Sequence, residues 1–325
     1  FFYNFYRNVL IMYEQLSHLD NIQLNFSAAG QHAINIVLAF VMFGVALGIK
    51  PRLFKDVFVK PKSVLVGLLS QLVALPLVTF LLIVALRHYL TPMVAMGMIL
   101  VAACPGGNIS NFMTQFAKGN TELSISLTAI TTSLAIVLTP ANFALWGGLY
   151  VNFVNPEASM ALRELHINVW QMFETVFLLL GIPLTLGMLT SHYLPKVAEK
   201  LRRPMQYFSI IFFIIMVLLA FGNNLDIFIH YIWYVFFIVL VHNFLALTTG
   251  FSLASAFQLP PKDRRTLTIE TGIQNSGLGL VLLFNSKIFP PDLAIGGMLF
   301  VTAWWGVWHI VSGLTIASVW SKKQL

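Results

Sequence analysis

The feature that most restricts this chain is a succession of nine long apolar windows, residues 33–49, 63–86, 91–117, 121–149, 168–190, 205–222, 227–257, 266–289 and 293–320. A helix needs about 20 apolar residues to cross the hydrocarbon core of a bilayer, and each window is near or above that length. Continuous apolar runs such as Tyr207 to Phe221 lack the two-residue alternation demanded by a barrel with a wet interior, so the windows read as helices. Of 325 residues, 58% are hydrophobic and only 10% charged, too few to build the polar coat of a soluble protein. The fold class is an all-α polytopic membrane protein set in the lipid bilayer of a cell membrane.

The formal charge of +7 follows from topology. Fifteen of the 19 basic residues fall in residues 50–62, at Lys118, and in 196–203, 262–265 and 322–323, which are alternate connections. The other four, Arg7, Arg87, Arg163 and Lys287, fall on the opposite side if the chain crosses nine times. The positive-inside rule then puts the N-terminus outside and the C-terminus in the cytoplasm. Basic residues scattered between apolar windows form no continuous face, so no nucleic-acid partner is expected. The single cysteine, Cys104, allows no internal disulfide and reads as a small packing residue.

Residues 1–30 precede the first window. Phe2, Phe5, Tyr6, Val9, Leu10, Tyr13 and Leu16 form one apolar helical stripe there, interrupted as a span by Arg7, Glu14 and Asp20. This spacing predicts an amphipathic segment in the outer interface or a packed cover over the bundle. No basic start followed by a clean apolar run and a small-residue cleavage site marks a secretory signal.

Nine windows divide as four, one and four. Residues 31–149 form a first repeat, 150–204 a linking helix with its loops, 205–320 a second repeat, and 321–325 a cytoplasmic tail. The offsets agree, 205 − 33 = 172 and 320 − 149 = 171. Because five spans separate equivalent helices, the repeats are inverted, an arrangement characteristic of transporters.

The third window of each repeat is polar at its middle. One carries Cys104-Pro105-Gly106-Gly107-Asn108-Ile109-Ser110-Asn111, the other Glu270-Thr271-Gly272-Ile273-Gln274-Asn275-Ser276-Gly277. Pro105 removes a backbone donor and the glycines permit unwinding, so both helices are expected to break and cross. Glycine and proline alone would account for either kink as a packing device. Polar pairs in both breaks, Ser110-Asn111 and Gln274-Asn275, together with an ionisable glutamate, point to a transport site.

A bare Glu270 in the bilayer costs several kcal/mol unless paired, and no Lys or Arg lies in the middle of any window to pair with it. The oxygen groups available beside it are Ser110, Asn111, Gln71, Gln274, and Ser124 with Thr128, four apart on one helix face. Hard oxygen ligands suit an alkali or alkaline-earth cation, and a single carboxylate favours Na+, with direct protonation of Glu270 the runner-up. For Ser124 or Thr128 taken singly, bonding back to the helix is the commoner role. Glu174, near the outer start of the fifth window, reads as solvated. The breaks also create half-helix N-termini whose free N–H groups attract anions, with Asn108, Ile109 and Asn275 beside them. His242 and His309 lie in apolar spans, where a hydrogen-bonded structural imidazole is the commoner role. No G-x-S-x-G, H-E-x-x-H or P-loop supports an enzyme.

The motifs C-P-G-G-N-I-S-N-F-M-T, G-N-T-E-L-S-I-S-L-T and E-T-G-I-Q-N-S-G-L, with the basic loop L-G-I-K-P-R-L-F, resemble those of the bile acid:sodium symporter family over about residues 31–320. Nine spans resemble the animal members, the bacterial ones having a tenth at the N-terminus. The resemblance implies a panel domain, from the first, fifth and sixth windows, and a core domain from the others. It implies two Na+ sites, one of Ser110, Asn111, Ser124, Thr128 and Glu270, and a second of Gln71, Glu270 and Gln274 with the carbonyls of Thr271 and Ile273. An organic anion, bile acid-like or a small carboxylate, is expected in the crevice between the domains, with Asn108, Ile109, Asn275, Ser276 and His309 as its candidate contacts. The function implied is Na+-coupled import by alternating access; the alternative is a proton-coupled or antiporting anion exporter of the same architecture.

Overall fold

A computed structural model of the protein describes residues 12–21, 28–49, 61–155, 169–222, 225–285, 287–290 and 293–323. Phe2, Phe5, Tyr6, Val9 and Leu10 of the amphipathic stripe, the basic residues Lys50, Arg52, Lys55 and Lys60, and Arg7 and Arg163 lie outside the described residues.

The described residues are helical, with no strand among them. In chain order they form α1 (residues 12–20), α2 (Ala28–Ala46), α3 (Pro61–Ala85), α4 (Pro92–Ala103), α5 (Ile109–Phe116), α6 (Thr121–Val154), α7 (residues 169–193), α8 (Pro195–Gly222), α9 (Leu225–Ala256), α10 (Pro261–Gly272), α11 (Ser276–Leu283) and α12 (Gly296–Ser321). Among the described residues, five segments are long and apolar enough to cross a membrane: α3, α6, Phe173–Tyr193 of α7, Tyr231–Ala256 of α9, and α12. Large apolar side chains such as Leu65, Leu81, Leu145, Ile211 and Phe237 stand exposed on the outside of the bundle, as a lipid-facing surface requires.

Both expected breaks are present. Cys104 is extended, with φ −72° and ψ 154°, because the ring of Pro105 disfavours helical backbone before it, and the helix resumes at Ile109. The second break falls at Ile273 to Asn275, between α10 and α11. Asn275 Oδ1 then caps α11 by accepting from the Leu278 N–H at 3.0 Å. Gly272 is the last residue of α10 and Gly277 the second of α11, so the two glycines bracket the break.

A third irregularity is a π-helical turn at Ser70–Ala74 inside α3, just ahead of Pro76. Pro76 has no N–H to give the Leu72 carbonyl; Asn142 Nδ2, from α6, donates to it instead at 3.2 Å.

Small residues set the closest approaches. A Cβ on Gly250 of α9 would lie 2.4 Å from the Leu267 carbonyl of α10, and one on Gly272 would lie 2.3 Å from Leu247 Cδ2. Gly97 of α4 packs likewise on Met298 of α12, and Gly187 of α7 on Ala46 of α2. Helices α2, α7 and α8 pack on one another, while α9 lies on α10 and α4 on α12.

One end of the bundle gathers the starts of α3 and α10, the α5–α6 turn and the end of α12. There Asp263 accepts from Ser63 Oγ (2.6 Å) and Asn120 Nδ2 (2.7 Å), and Arg265 donates to the carbonyls of Ala117 (2.7 Å) and Trp320 (3.1 Å). At the start of α4, Asp20 of α1 accepts from Thr91 Oγ1 (2.9 Å) and the Met93 N–H (3.0 Å). Leu16 and Leu19 of α1 are fully buried in the main apolar cluster, so this helix is a packed cover.

Candidate functional site

The two breaks cross. Residues Gly106 and Gln274 form an antiparallel bridge, the Gly107 N–H donates to the Ile273 carbonyl at 2.8 Å, and the Asn275 N–H donates to the Pro105 carbonyl at 2.8 Å. Extended backbone inside an apolar bundle must satisfy its own polar groups, and here each break supplies partners for the other. Gly107 is needed for the approach, since a Cβ there would lie 3.2 Å from the Gln274 carbonyl oxygen.

Glu270 lies one turn before the second break and is fully buried. Its Oε1 accepts from Ser110 Oγ at 2.5 Å and Ser124 Oγ at 2.5 Å, and lies 3.3 Å from Thr128 Oγ1; its Oε2 is 3.1 Å from Thr128 Oγ1. Asn111 Oδ1 is 2.9 Å from Ser124 Oγ and 3.4 Å from Thr128 Oγ1. Three helices contribute: α5 through Ser110 and Asn111, α6 through Ser124 and Thr128, and α10 through Glu270.

Proton counting makes this cluster unusual. Three hydroxyls own one proton each, yet they make six close contacts with the carboxylate and the Asn111 amide oxygen. Lone pairs outnumber protons around a buried negative charge. A hard cation would satisfy the excess, and five oxygen-bearing side chains without sulfur or imidazole fit an alkali ion.

A second set lies on the other side of Glu270. Gln71 is 1% exposed, and neither its Oε1 nor its Nε2 has a hydrogen-bond partner. The Oε1 of Gln274 is likewise buried and unpartnered, while its Nε2 donates to the Thr271 carbonyl at 2.9 Å. A Cβ built on Gly106 would meet Gln71 Oε1 at 2.8 Å and Glu270 Oε2 at 3.1 Å, so the amide and the carboxylate border one small space. Orphaned amide oxygens in an apolar bundle are costly, and that of Gln71 shares its space with the Glu270 carboxylate. The Ile273 carbonyl already accepts from Gly107, leaving one lone pair free. The Thr271 hydroxyl bonds Ser70 Oγ at 2.7 Å.

The anion candidates are spread more widely. Asn108 and Ile109 are exposed at the start of α5, Asn275 is half-buried, and Ser276 is buried at the start of α11. His309 is buried, with Nδ1 2.6 Å from the Trp305 carbonyl one turn earlier. His242 pairs with Thr79 Oγ1 at 2.8 Å and lies against Trp305, as a structural imidazole does. Glu174 is exposed.

Reasoning from sequence missed Asn243 and Ser312. Asn243 Nδ2 donates to the Gly272 carbonyl at 2.7 Å, and Ser312 Oγ donates to Asn243 Oδ1 at 2.6 Å. One signal was in the sequence, for 243 − 71 = 172 equals the offset expected between the two repeats and makes Asn243 the counterpart of Gln71 in that pattern.

Helices long enough to span a bilayer, packed around two broken segments whose crossing buries a carboxylate among hydroxyl and amide oxygens, define a class of membrane transport proteins. Residues 35–231 match the Sodium Bile acid symporter family, and the chain belongs to that family. It is 32% identical over 290 residues to the uncharacterized sodium-dependent transporter YocS of Bacillus subtilis, covering 89% of this chain and 83% of that one. It is 28% identical over 273 residues to human sodium/bile acid cotransporter 4, covering 82% of this chain and 59% of that protein. The human P3 protein is 28% identical over 233 residues, and the chain spans about half of it, 46%. The protein is thus a member of a family of sodium-dependent transporters, not enzymes.

Proposed function

We propose that the protein is a Na+-coupled symporter that imports an organic anion by alternating access. Two Na+ ions would organise the crossing, one among Ser110, Asn111, Ser124, Thr128 and Glu270, the other among Gln71, Glu270, Gln274 and the carbonyls of Thr271 and Ile273. The observation that carries this reading is the surplus of lone pairs around buried Glu270, extended by the orphaned amides of Gln71 and Gln274. A cation bound there draws α5, α6 and α10 together. The half-helix N-termini at Ile109 and Ser276 then face the crevice with Asn108 and Asn275 beside them, and offer N–H donors to a carboxylate or sulfonate. Because assembly of one site lowers the cost of assembling the other, ion and anion binding are coupled reciprocally.

In the same reading the nine windows cross as two inverted repeats in the cell membrane, N-terminus outside and C-terminus cytoplasmic. Helices α2, α7 and α8 act as the panel against which the remaining core moves. The similarity to a sodium/bile acid cotransporter supports an organic anion as the cargo.

The test is thermal unfolding of detergent-purified protein in Na+ against K+ at matched ionic strength, for the wild type and Glu270→Gln. Ligand that binds only the folded state raises stability as RT ln(1 + [L]/Kd), about 2.7 kcal/mol at 100 times Kd. A Na+-specific rise that Glu270→Gln loses is expected. Equal melting in both salts would overturn Na+ coupling and bring forward protonation of Glu270 with export or exchange, which uptake into proteoliposomes driven by a proton gradient would detect.

A further inference from the structure

The break in α10 frees the last four carbonyls of that helix, and the structure accounts for each. The Ile269 carbonyl takes the Ile273 N–H at 2.9 Å. Those of Glu270 and Thr271 take Gln274 Nε2, at 3.5 Å and 2.9 Å. The Gly272 carbonyl takes Asn243 Nδ2 at 2.7 Å. Only in this last pair does the donor come from a different helix, and that donor is itself fixed, since Ser312 Oγ of α12 donates to Asn243 Oδ1 at 2.6 Å. Asn243 is 1% exposed, so both of its polar ends depend on these partners.

Asn243 and Gln71 stand 172 residues apart, the offset that relates the two halves of the chain. Each is a buried amide on the helix preceding a broken one, and each lies against the break of its own half. Gln71 borders Gly106, and Asn243 holds Gly272. Their partners differ. Both polar atoms of Gln71 are unpartnered, whereas both ends of Asn243 are bonded within the protein.

We propose that Asn243 and Ser312 are positioning residues for the Na+ site at the crossing: by holding the Gly272 carbonyl from α9 and α12, they fix the peptides on either side of it. The neighbouring carbonyls of Thr271 and Ile273, and the Gln274 side chain bonded to the first of them, are then held in one arrangement for the ion. The relay also ties α9, α10 and α12 into one unit at the level of the ions. The proposal rests on the Na+-coupled reading above.

The experiment is a Na+ titration of thermal stability at constant ionic strength with K+ as replacement, in the wild type, Asn243→Asp, Ser312→Ala and Ser312→Thr. Asn243→Asp keeps the acceptor for Ser312 but loses the donor to Gly272; its Na+ half-saturation should rise at least about tenfold. Ser312→Ala should raise it a few-fold, and Ser312→Thr, which keeps the hydroxyl, should restore it to within about twofold of wild type. A loss of melting temperature in K+ alone, with half-saturation unmoved in both Asn243→Asp and Ser312→Ala, assigns the pair to packing and overturns the proposal. If Asn243→Asp does not fold, the two Ser312 variants decide. A wild type indifferent to Na+ removes the reading beneath the proposal, and the proposal with it, an outcome distinct from a wild type that responds beside variants that respond equally.

Discussion

Gly106 lies so close to Gln71 that a Cβ on the glycine would sit 2.8 Å from Gln71 Oε1, and the same added atom would sit 3.1 Å from Glu270 Oε2. The glycine therefore does more than loosen the helix after Pro105; its missing side chain is the space between an amide oxygen and a carboxylate. Gly106→Ala should remove the Na+-dependent rise in melting temperature while costing little in K+, because the methyl meets only the ends of two side chains, Gln71 and Glu270. Melting curves in the two salts check this, and a retained Na+ response would mean the space is not an ion site.

The hydroxyls around Glu270 differ in how many acceptors they face. Ser124 Oγ reaches both Glu270 Oε1 and Asn111 Oδ1, so Ser124→Ala takes one oxygen from the proposed Na+ site and one donor from two acceptors. A lost hydrogen bond to a charged group costs about 1.5–3 kcal/mol, which corresponds to a rise of about tenfold or more in Na+ half-saturation. Thr128→Val, which keeps the shape, should give a similar loss in a Na+ titration of stability. Unchanged half-saturation in both variants would place the ion elsewhere.

How far this site was legible from sequence depends on how local its cause is. Ser110, Asn111, Ser124, Thr128 and Glu270 could be nominated because Ser124 and Thr128 share a helix face and the rest lie in or beside two obvious breaks. They converge as that pattern implies. Gln71 could be named but not placed, because its position depends on the π-helical turn ahead of Pro76 and on Asn142 donating to the Leu72 carbonyl from another helix. Asn243 and Ser312 carry no local signal, since one polar residue in an apolar helix looks alike whether it back-bonds or anchors a neighbour. Only the 172-residue offset from Gln71 marks Asn243 out. The role of α1 was open for a related reason. An amphipathic stripe is the same for a helix lying on lipid and one lying on protein, and the full burial of Leu16 and Leu19 shows that this end of the stripe lies on protein.

Asp20, on that covering helix, makes stability depend on pH. Burial pushes its carboxyl up from 3.8 to about 7, against the hydrogen bonds from Met93 and Thr91, which lower it. Tyr13 and Tyr150 are ionisable neighbours of this carboxyl. With the folded value above the unfolded one, the native state binds the extra proton between about pH 4 and 7, so the contribution of Asp20 to stability falls as pH rises through that window and is constant above it. Asp20→Asn should flatten this part of the melting-temperature profile and melt higher than wild type at pH 8. Parallel profiles for the two proteins would show that Asp20 does not titrate there.

Two glycines that look alike in sequence should respond oppositely to the same substitution. A Cβ on Gly250 would lie 2.4 Å from the Leu267 carbonyl oxygen and 2.9 Å from Thr268 Cα, backbone atoms that cannot swing aside. Gly250→Ala must therefore push α9 away from α10, the helix that carries Glu270, and should both lower the melting temperature in K+ and weaken the Na+ response. Gly148 of α6 has nothing within 4 Å of its added Cβ. Gly148→Ala meets no clash and gains helix propensity, about 0.8–1.0 kcal/mol for glycine to alanine, so its melting temperature should be equal to or slightly above that of wild type with the Na+ response intact. Melting of the two variants in both salts tests the packing of α9 on α10 directly. If Gly250→Ala melts like wild type, α9 and α10 are not held together at that glycine, and the backbone that presents Glu270 to the crossing must be supported from elsewhere.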